Sequence, residues 1–311
     1  MTTAIVPHYV AELLAVQYPW LQHSFVAPMS GGLDNEKYLC ALEEGKRYLL
    51  KIYRNKPIDS VLKEMECLRH VATHGIPCQE PIATNSGADV CLLGAKPVCL
   101  FRFIEGTEPT PSQENLVSIG KMLALTHEVP EISGLRSGYP YSEASIALFL
   151  QTVTISPEDY DFFSETLSVT KDVDLANLER KMCHCDVFLD NLIQDYTGVM
   201  HVIDFEEVSL ETTTFDIGRA VVGCCRYGDI DQVFSSMSFM LCGYDSIRSL
   251  PEYDRSVLHN AIVRAGMIST FWRYYTFEIE NIDVSKKGLY RELRDFTRRY
   301  LIEARARNLL R

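Results

Sequence analysis

The chain has 311 residues, of which 47% are hydrophobic and 23% are charged, and its formal net charge at pH 7 is −12. This composition is typical of a folded globular protein and excludes long disordered tracts, while the acidic charge argues against nucleic acid as a partner. No apolar run approaches the roughly 20 residues that cross a bilayer, so a membrane partner is not expected.

The first hundred residues are predicted to be rich in β-strands. The segment 1–20 has the pattern of an amphipathic helix. Apolar residues at helical spacing predict another helix that begins at residue 58 and ends at Gly75, a residue type that favours the position after a helix. Runs of β-branched and aromatic residues between turn signals predict five strands, at 24–28, 37–44, 46–53, 89–93 and 96–104.

The chain changes character at residues 105–109, where glycine and two nearby prolines predict a connector. Beyond it, one pair of strands is expected, at 191–195 and 199–205 with a hairpin turn between them. Helices are predicted at 116–127, 143–152, 158–168, 213–226, 230–242, 252–278 and 287–307. These elements indicate an α+β protein with a small N-terminal antiparallel sheet lobe, 1–105, and a larger, mainly helical C-terminal lobe, 106–311.

The most informative segment is CHCDVFLDNLIQDYTGVMHVIDFEE, residues 183–207. Phosphoryl transfer needs a carboxylate near the attacking hydroxyl and oxygen ligands for magnesium. Asp186 suits the first role, and Asn191 and Asp204 suit the second, because the hairpin returns Asp204 towards the loop that bears Asp186. A single Asp or Asn in such a place is usually a turn former. Together, in this order and with the Asp-x4-Asn spacing of kinase catalytic loops, they predict a kinase site.

The triplet Cys183-His184-Cys185 could also be read as part of a metal site. We expect these residues to continue a strand, so that the two cysteines face one way and His184 the other. No second Cys/His pair with zinc spacing follows, so we do not predict zinc. His184 is instead expected to brace the loop by hydrogen bonding. The 10 cysteines are scattered, mostly within apolar patterns, as free thiols of a reducing, cytoplasmic compartment would be.

The other half of a kinase site is expected in the sheet-rich part. Lys51 lies in an otherwise apolar strand, where its ammonium needs a partner. Glu64 and Glu66 on the following helix are the candidates, and Glu64 lies closer to the apolar face. Gly31 and Gly32 form a turn at which backbone N–H groups could approach phosphates, although glycine pairs are common in hairpins. The sequence has no Walker motif, which argues against a P-loop kinase.

The segments HCDVFLDNLI, HVIDFEE and FDIGRAV together resemble the signature of the aminoglycoside phosphotransferase and choline kinase superfamily, and the resemblance extends over nearly the whole chain. Within it, DVFLDN, the turn that ends in Asn35 and STFWRYY (269–275) are most similar to type II homoserine kinases. The resemblance implies a protein kinase-like two-lobe fold that uses ATP and Mg²⁺.

The resemblance also implies roles for single residues. Asp186 would be the catalytic base, with Asp216 bracing its loop, and Asn191 and Asp204 would be the magnesium ligands. Lys51 would contact the phosphates. The backbone of the segment from Phe103 to Gly106, which includes Ile104, would form hydrogen bonds with adenine.

The sequence indicates the identity of the acceptor alcohol less specifically than it indicates the phosphoryl-transfer reaction. Homoserine is the first expectation, and choline, ethanolamine, hydroxylysine and aminoglycosides are alternatives, as is a non-catalytic nucleotide-binding protein. An amino-acid acceptor needs a cation for its carboxylate, and Arg219, Arg226 and Arg273 are candidates, although such residues are more often solvated surface charges. Either a monomer or a homodimer is compatible with the sequence.

Overall fold

The computed structural model describes residues 7–29, 35–171, 173–280 and 284–311. The chain forms two compact units. The first comprises Met1–Glu108 and Leu192–Glu206, and the second comprises Pro109–Asn191 and Glu207–Arg311. The sequence predicts one division of the chain, between residues 105 and 106. The observed units differ from this prediction, because the segment 192–206 belongs to the first unit. That segment joins the first unit because it forms strand hydrogen bonds with residues 106–107.

The helices and strands follow in chain order. The first 108 residues contain α1 (His8–Gln17), β1 (Phe25–Met29), β2 (Glu36–Ala41), β3 (Arg47–Ile52), α2 (Ile58–Thr73), β4 (Pro81–Ile82), β5 (Cys91–Leu93), β6 (Lys96–Arg102) and β7 (Gly106–Thr107). The rest contains α3 (Gln113–Glu128), α4 (Glu143–Thr152), α5 (Pro157–Thr170), β8 (Arg180–Cys183), β9 (Leu192–Asp195), β10 (Met200–Val202), β11 (Ser209–Thr212), α6 (Thr213–Cys224), α7 (Ile230–Asp245), α8 (Glu252–Ser256), α9 (Leu258–Tyr274) and α10 (Tyr290–Ala306).

The first unit is built on an antiparallel sheet with the strand order β1-β2-β3-β6-β4, and β5 also pairs with β6. The inner strands β3 and β6 are almost wholly buried, which is why their sequences are nearly continuous apolar runs. Residues of α1 share one buried apolar cluster with the sheet. Helix α2 turns the face of Val61, Met65 and Leu68 inward. The sheet thus fixes β3, which carries Lys51, beside α2, which carries Glu64.

The second unit is mainly helical, and α3 and α7 form its closest pair. Both helices have a glycine at the contact. A methyl group on Gly120 would collide with the carbonyl oxygen of Met240, and one on Gly243 would collide with that of Val117. Since only glycine lets two helix backbones approach so closely, this pairing depends on both residues. Helix α9 is almost entirely buried and packs against α5, α6 and α10.

Most of the predicted elements are present, and the α+β class is confirmed. Three details were wrong. The helical part contains a second strand pair, β8 with β11, which is short and rich in polar residues. The predicted connector 105–109 includes β7, and the predicted helix 252–278 is divided into α8, α9 and a π-helical turn at Tyr275–Ile279. None of the described helices is long and apolar enough to span a membrane.

Candidate active site

Asp186 lies in the loop between β8 and β9, and both of its carboxylate oxygens accept hydrogen bonds. Asn191 donates its amide to Asp186 Oδ2 at 2.8 Å and to the Asp186 carbonyl oxygen at 2.9 Å. The guanidinium of Arg219 donates to Oδ1. The Arg219 side chain is 4% exposed, whereas that of Asp186 is 33% exposed. Asp186 is therefore held in one orientation while an edge of its carboxylate stays accessible to a ligand.

Asp216, in the first turn of α6, fixes the start of this loop. It is fully buried and accepts hydrogen bonds from the backbone N–H of His184 at 3.0 Å and of Cys185 at 2.8 Å. Its Oδ2 also lies 3.0 Å from Nε2 of His127 on α3. These bonds hold Cys185 in the left-handed conformation, with φ of 64°, that the sharp turn before Asp186 requires. His184 braces the same turn, because its Nδ1 accepts the N–H of Asp186 at 3.2 Å.

A chain of hydrogen bonds continues from Asp216 to α7. Arg248 donates to the hydroxyl of Tyr244 at 2.8 Å, and that hydroxyl lies 2.8 Å from Nδ1 of His127. Each of these hydrogen bonds has one donor and one acceptor if Tyr244 donates to Nδ1 and His127 carries its proton on Nε2, facing Asp216. Burial by itself raises the pKa of Asp216, but the hydrogen bond from His127 and the backbone donors outweigh it and hold the pKa below its usual value. His127 was missed as a site residue because its only sequence signal is a polar residue on an apolar helix face.

The expectation that Cys183, His184 and Cys185 alternate along a strand was wrong. Strand β8 ends at Cys183, and all three side chains are buried. His127, Cys183 and Asp216 bring potential metal-binding atoms within 4.8 Å of one another. However, burial raises the pKa of the Cys183 thiol well above its usual range, and Asp216 already accepts three hydrogen bonds. This geometry is that of a hydrogen-bonded brace, since metal binding needs the thiolate.

Lys51 in the first unit is surrounded by three carboxylates. Its Nζ lies 2.6 Å from Glu206, 3.1 Å from Asp204 and 3.6 Å from Glu64, and its side chain is 5% exposed. The ion pair with Glu64 that the sequence predicts is therefore present, but Glu206 lies closer. Glu206 also accepts a hydrogen bond from Asn35. Glu206 was missed as a partner of Lys51 because 155 positions separate them in the chain.

The two candidate glutamates on α2 differ sharply. Glu64 is 3% exposed, whereas Glu66 lies at the surface and pairs with Lys63 at 2.6 Å. Burial raises the pKa of Glu64 to about 8. The positive charge of Lys51 lowers this pKa, but the negative charges of Glu206 and Asp204 offset part of that effect. Burial also raises the pKa of Asp204, but Lys51 and then Lys37 outweigh it and hold that pKa below its ordinary value. Asp204 therefore stays a carboxylate at neutral pH.

Asn191 and Asp204 are the predicted magnesium ligands. In the β9–β10 hairpin Val202 pairs with Leu192, the residue directly after Asn191, and Asp204 follows β10 by two residues. Asn191 uses its amide nitrogen on Asp186, and its carbonyl oxygen accepts no hydrogen bond from the described part of the chain. An ionised carboxylate and a carbonyl oxygen are the ligands that Mg²⁺ prefers, so the chemistry of these two residues fits the ion. Their metal-binding role stays a prediction.

The remaining predicted nucleotide contacts are Gly31, Gly32, Phe103 and Ile104. Gly31 and Gly32 fall outside the described residues. Phe103 and Ile104 follow β6 directly and are half-buried. The N–H of Phe103 donates to the carbonyl oxygen of Arg47 at 3.1 Å, so this donor is used within the sheet. The expected binding of adenine by the backbone thus depends on the other polar groups of 103–106.

Comparison with known proteins identifies similar sequences. The model of the phosphotransferase enzyme family matches residues 26–233. A homoserine kinase of Methylobacillus flagellatus is 26% identical over 253 residues, which cover 78% of this chain and 76% of the relative. A homoserine kinase of Paraburkholderia phymatum is 24% identical over 291 residues and covers 84% of this chain and 87% of its own.

Solved structures with the same fold are also kinases of small molecules. A microcompartment-associated aminopropanol kinase superposes with a TM-score of 0.73 at 15% identity, over 97% of this chain and 98% of that chain. An amicoumacin kinase in complex with AMP-PNP and Ca²⁺ superposes with a TM-score of 0.72 at 17% identity, over 94% and 93% of the two chains. The kinase-like fold that the resemblance implied is therefore confirmed.

Proposed function

Because the chain belongs to the phosphotransferase enzyme family, we propose that it is an ATP- and Mg²⁺-dependent kinase that phosphorylates the hydroxyl group of homoserine. The observation that carries the reaction is the Asp186 carboxylate, which is held at both oxygens and is still one-third exposed. The acceptor is supported by the similarity to homoserine kinases over about three-quarters of both chains.

In the proposed reaction the acceptor hydroxyl approaches the accessible edge of Asp186. The hydroxyl oxygen forms a bond to the γ-phosphorus of ATP, the bond between that phosphorus and the oxygen bridging to the β-phosphate breaks, and ADP leaves. The hydroxyl proton passes to Asp186. Catalysis of this kind depends on positioning and charge rather than on covalent chemistry by the protein. Asn191 and Arg219 orient Asp186, and Asp216, His127 and His184 hold its loop.

The residues that bind the nucleotide are likewise a proposal. Lys51 is the proposed phosphate contact, with Glu64 fixing its position from α2. Asn191 and Asp204 are the proposed Mg²⁺ ligands, and Phe103 and Ile104 open the proposed adenine-binding segment. A bound Mg²⁺ ion supplies positive charge against the β- and γ-phosphates. The carboxylate of Asp204 supports this proposal, because it stays ionised beside Lys51.

The test is a coupled assay of ADP release with a panel of alcohols. The panel comprises L-homoserine, 3-aminopropan-1-ol, choline, ethanolamine, hydroxylysine and kanamycin. We expect ADP release to depend on an added alcohol and kcat/KM to be highest for L-homoserine. A higher kcat/KM for another alcohol would disprove the acceptor and leave the kinase activity standing. If AMP-PNP binds but no alcohol stimulates ADP release, the alternative of a non-catalytic nucleotide-binding protein is supported instead.

A further inference from the structure

Three arginines of the second unit surround one aromatic ring close to Asp186. The ring is that of Phe188, two residues after Asp186, and it is buried. The guanidinium carbons of Arg219, Arg226 and Arg273 lie 5.2, 5.7 and 6.0 Å from its centroid. The arginines come from α6, from the residues that follow it and from α9, so the fold rather than local sequence brings them together. We call Arg219, Arg226 and Arg273 the arginine cluster.

The arginine cluster has few counter-charges that are buried with it. Arg226 and Arg273 share one carboxylate, Glu292, at 2.9 and 3.3 Å, and that side chain is 53% exposed. The next acidic group near Arg273 is the exposed Asp190. Burial lowers the pKa of Arg273, and the neighbouring Arg226 lowers it further. The three guanidinium groups thus share two carboxylates, Asp186 and Glu292, and the surplus of positive charge favours an additional anion.

Arg219 is the member that contacts Asp186. One of its terminal nitrogens donates to Asp186, and the other donates to the hydroxyl of Ser269 at 2.5 Å. Its Nε is buried and makes no hydrogen bond within the part of the chain that the structure describes. Arg226 also donates to the carbonyl oxygens of Val222 and Gly223 at the end of α6, whereas Arg273 uses one nitrogen, Nη1, for both Glu292 and the carbonyl oxygen of Leu289. Arg226 thus has a structural role, while Arg219 and Arg273 have capacity for a ligand.

We propose that Arg219 and Arg273 form a carboxylate-binding subsite for the acceptor, so that the enzyme selects hydroxy acids and hydroxy amino acids over alcohols that carry only a cationic group. The inference rests on the proposed kinase function. An acceptor hydroxyl at Asp186 is necessarily close to Arg219. In a hydroxy amino acid such as homoserine only three carbon atoms separate the hydroxyl oxygen from the carboxyl carbon. Its carboxylate is therefore within reach of the cluster, and bidentate guanidinium groups suit that anion.

A different role for Arg219 makes a different prediction. If it only positions Asp186, its loss slows the transfer to every alcohol by the same factor. Arg273 is the better test, because no hydrogen bond or ion pair joins it to Asp186 in the described part of the chain. Removing its charge therefore leaves the pair of Arg219 with Asp186 intact. A carboxylate-binding role predicts a loss that depends on whether the acceptor has a carboxylate.

The experiment compares kcat/KM for L-homoserine with that for 3-aminopropan-1-ol, which has the same chain without the carboxylate. For Arg273→Met we expect the ratio of the two values to fall by about 10- to 100-fold, the effect of losing a hydrogen bond to a charged group. The loss should lie mainly in KM for L-homoserine. Arg219→Lys should lower both values and still reduce the ratio. The matched control is Arg255→Met, a half-exposed arginine on α8 that pairs with Asp245, and it should leave the ratio unchanged.

An unchanged ratio in Arg273→Met and Arg219→Lys would overturn the subsite, while activity of the wild type towards L-homoserine would still support the proposed function. Calorimetric measurement of acceptor binding in the absence of nucleotide tests the carboxylate-binding subsite even if no alcohol is phosphorylated. In that case the wild type should bind L-homoserine more tightly than 3-aminopropan-1-ol, and Arg273→Met should remove the difference. Equal binding of both compounds by the wild type would contradict the subsite directly.

Discussion

Asp186 combines two properties that a residue receiving a proton needs. Asn191 and Arg219 fix its orientation, and part of its carboxylate remains exposed. We expect Asp186→Asn to lower kcat by about 10²- to 10⁴-fold, because the amide cannot accept the proton of the acceptor. Binding of AMP-PNP, measured by calorimetry, should be unchanged. The control is Asp161→Asn, an exposed aspartate on α5. Full activity of Asp186→Asn in a preparation free of wild type would remove Asp186 from its role.

Asp216 should make the stability of the protein depend on pH in a defined direction. Its pKa in the folded state lies below its usual value. A carboxyl group of this kind stabilises the folded state at pH values above its unfolded-state pKa of about 3.9, and the contribution is lost as the pH falls through the folded-state pKa. We expect Asp216→Asn to lower the free energy of unfolding by about 1–3 kcal/mol at neutral pH, because the substitution removes the charged acceptor of three buried hydrogen bonds.

The same comparison at lower pH tests the cause of this difference. Urea denaturation of wild type and Asp216→Asn should give a constant difference from about pH 7 to about pH 5, and the two values should converge as the pH falls below about 4, since the carboxyl group of the unfolded wild type then binds a proton that the folded state still lacks. Asp231→Asn, whose side chain is 82% exposed, should show no such trend. A difference between wild type and Asp216→Asn that stays constant below about pH 4 would mean that the charge of Asp216 is not what stabilises the loop.

At the scale of secondary structure, the packing of α3 against α7 positions residues that hold the active-site loop. Helix α3 carries His127 and α7 carries Tyr244, and these two residues connect Asp216 to the two helices by hydrogen bonds. We expect Gly120→Ala to lower the free energy of unfolding by about 1–3 kcal/mol, because the added methyl group forces the two helices apart. It should also lower kcat, since His127 moves with α3. Urea denaturation and initial rates measure both effects.

Lys121→Ala is the matched control, because residue 121 lies next to Gly120 on the exposed side of α3. It should change neither quantity. If Gly120→Ala is as stable as the wild type, α3 and α7 can separate without cost, and the glycine contact does not hold the loop.

The elements that the sequence predicts well are those whose signal is local. Helix α2 has apolar residues at regular spacing and a glycine shortly after its end, so its start at Ile58 and the preference for Glu64 over Glu66 as the partner of Lys51 could be predicted. Strand pair β8–β11 could not, because each strand has only four residues, several of them polar, and they meet across 25 intervening residues. The wrong orientation for Cys185 arose because a strand was expected to continue through residues 183–185, whereas β8 ends at Cys183 and Cys185 lies in a left-handed turn after it.

The same distinction applies to the candidate site. Asp186, Asn191 and Asp204 stand in one short segment, and their order alone indicated a kinase. Glu206 beside Lys51 and Arg219 beside Asp186 are contacts between distant parts of the chain. An isolated Arg or Glu is usually a solvated surface residue, so its sequence context carries no sign of such a partner. Only the fold reveals these pairs.

For the molecule as a whole, the proposed function requires that nucleotide and Mg²⁺ bind together. A ligand that binds only the folded state stabilises it by about 2.7 kcal/mol at 100 times its Kd, which corresponds to a rise in Tm of roughly 5 °C for a protein of this size. We expect AMP-PNP with Mg²⁺ to produce such a rise in a thermal denaturation experiment. EDTA should remove most of it, because the phosphates then meet the carboxylates around Lys51 without a compensating ion.

Asp204→Asn should reduce the rise in Tm that Mg²⁺ adds to that of the nucleotide alone, since the substitution removes a proposed ligand carboxylate. Asp59→Asn provides the control, because Asp59 is exposed in the first turn of α2 within the same unit. It should retain the full effect of Mg²⁺. If Asp204→Asn responds to Mg²⁺ as the wild type does, the low pKa of Asp204 reflects only its pairing with Lys51, and the ion must be bound by other residues.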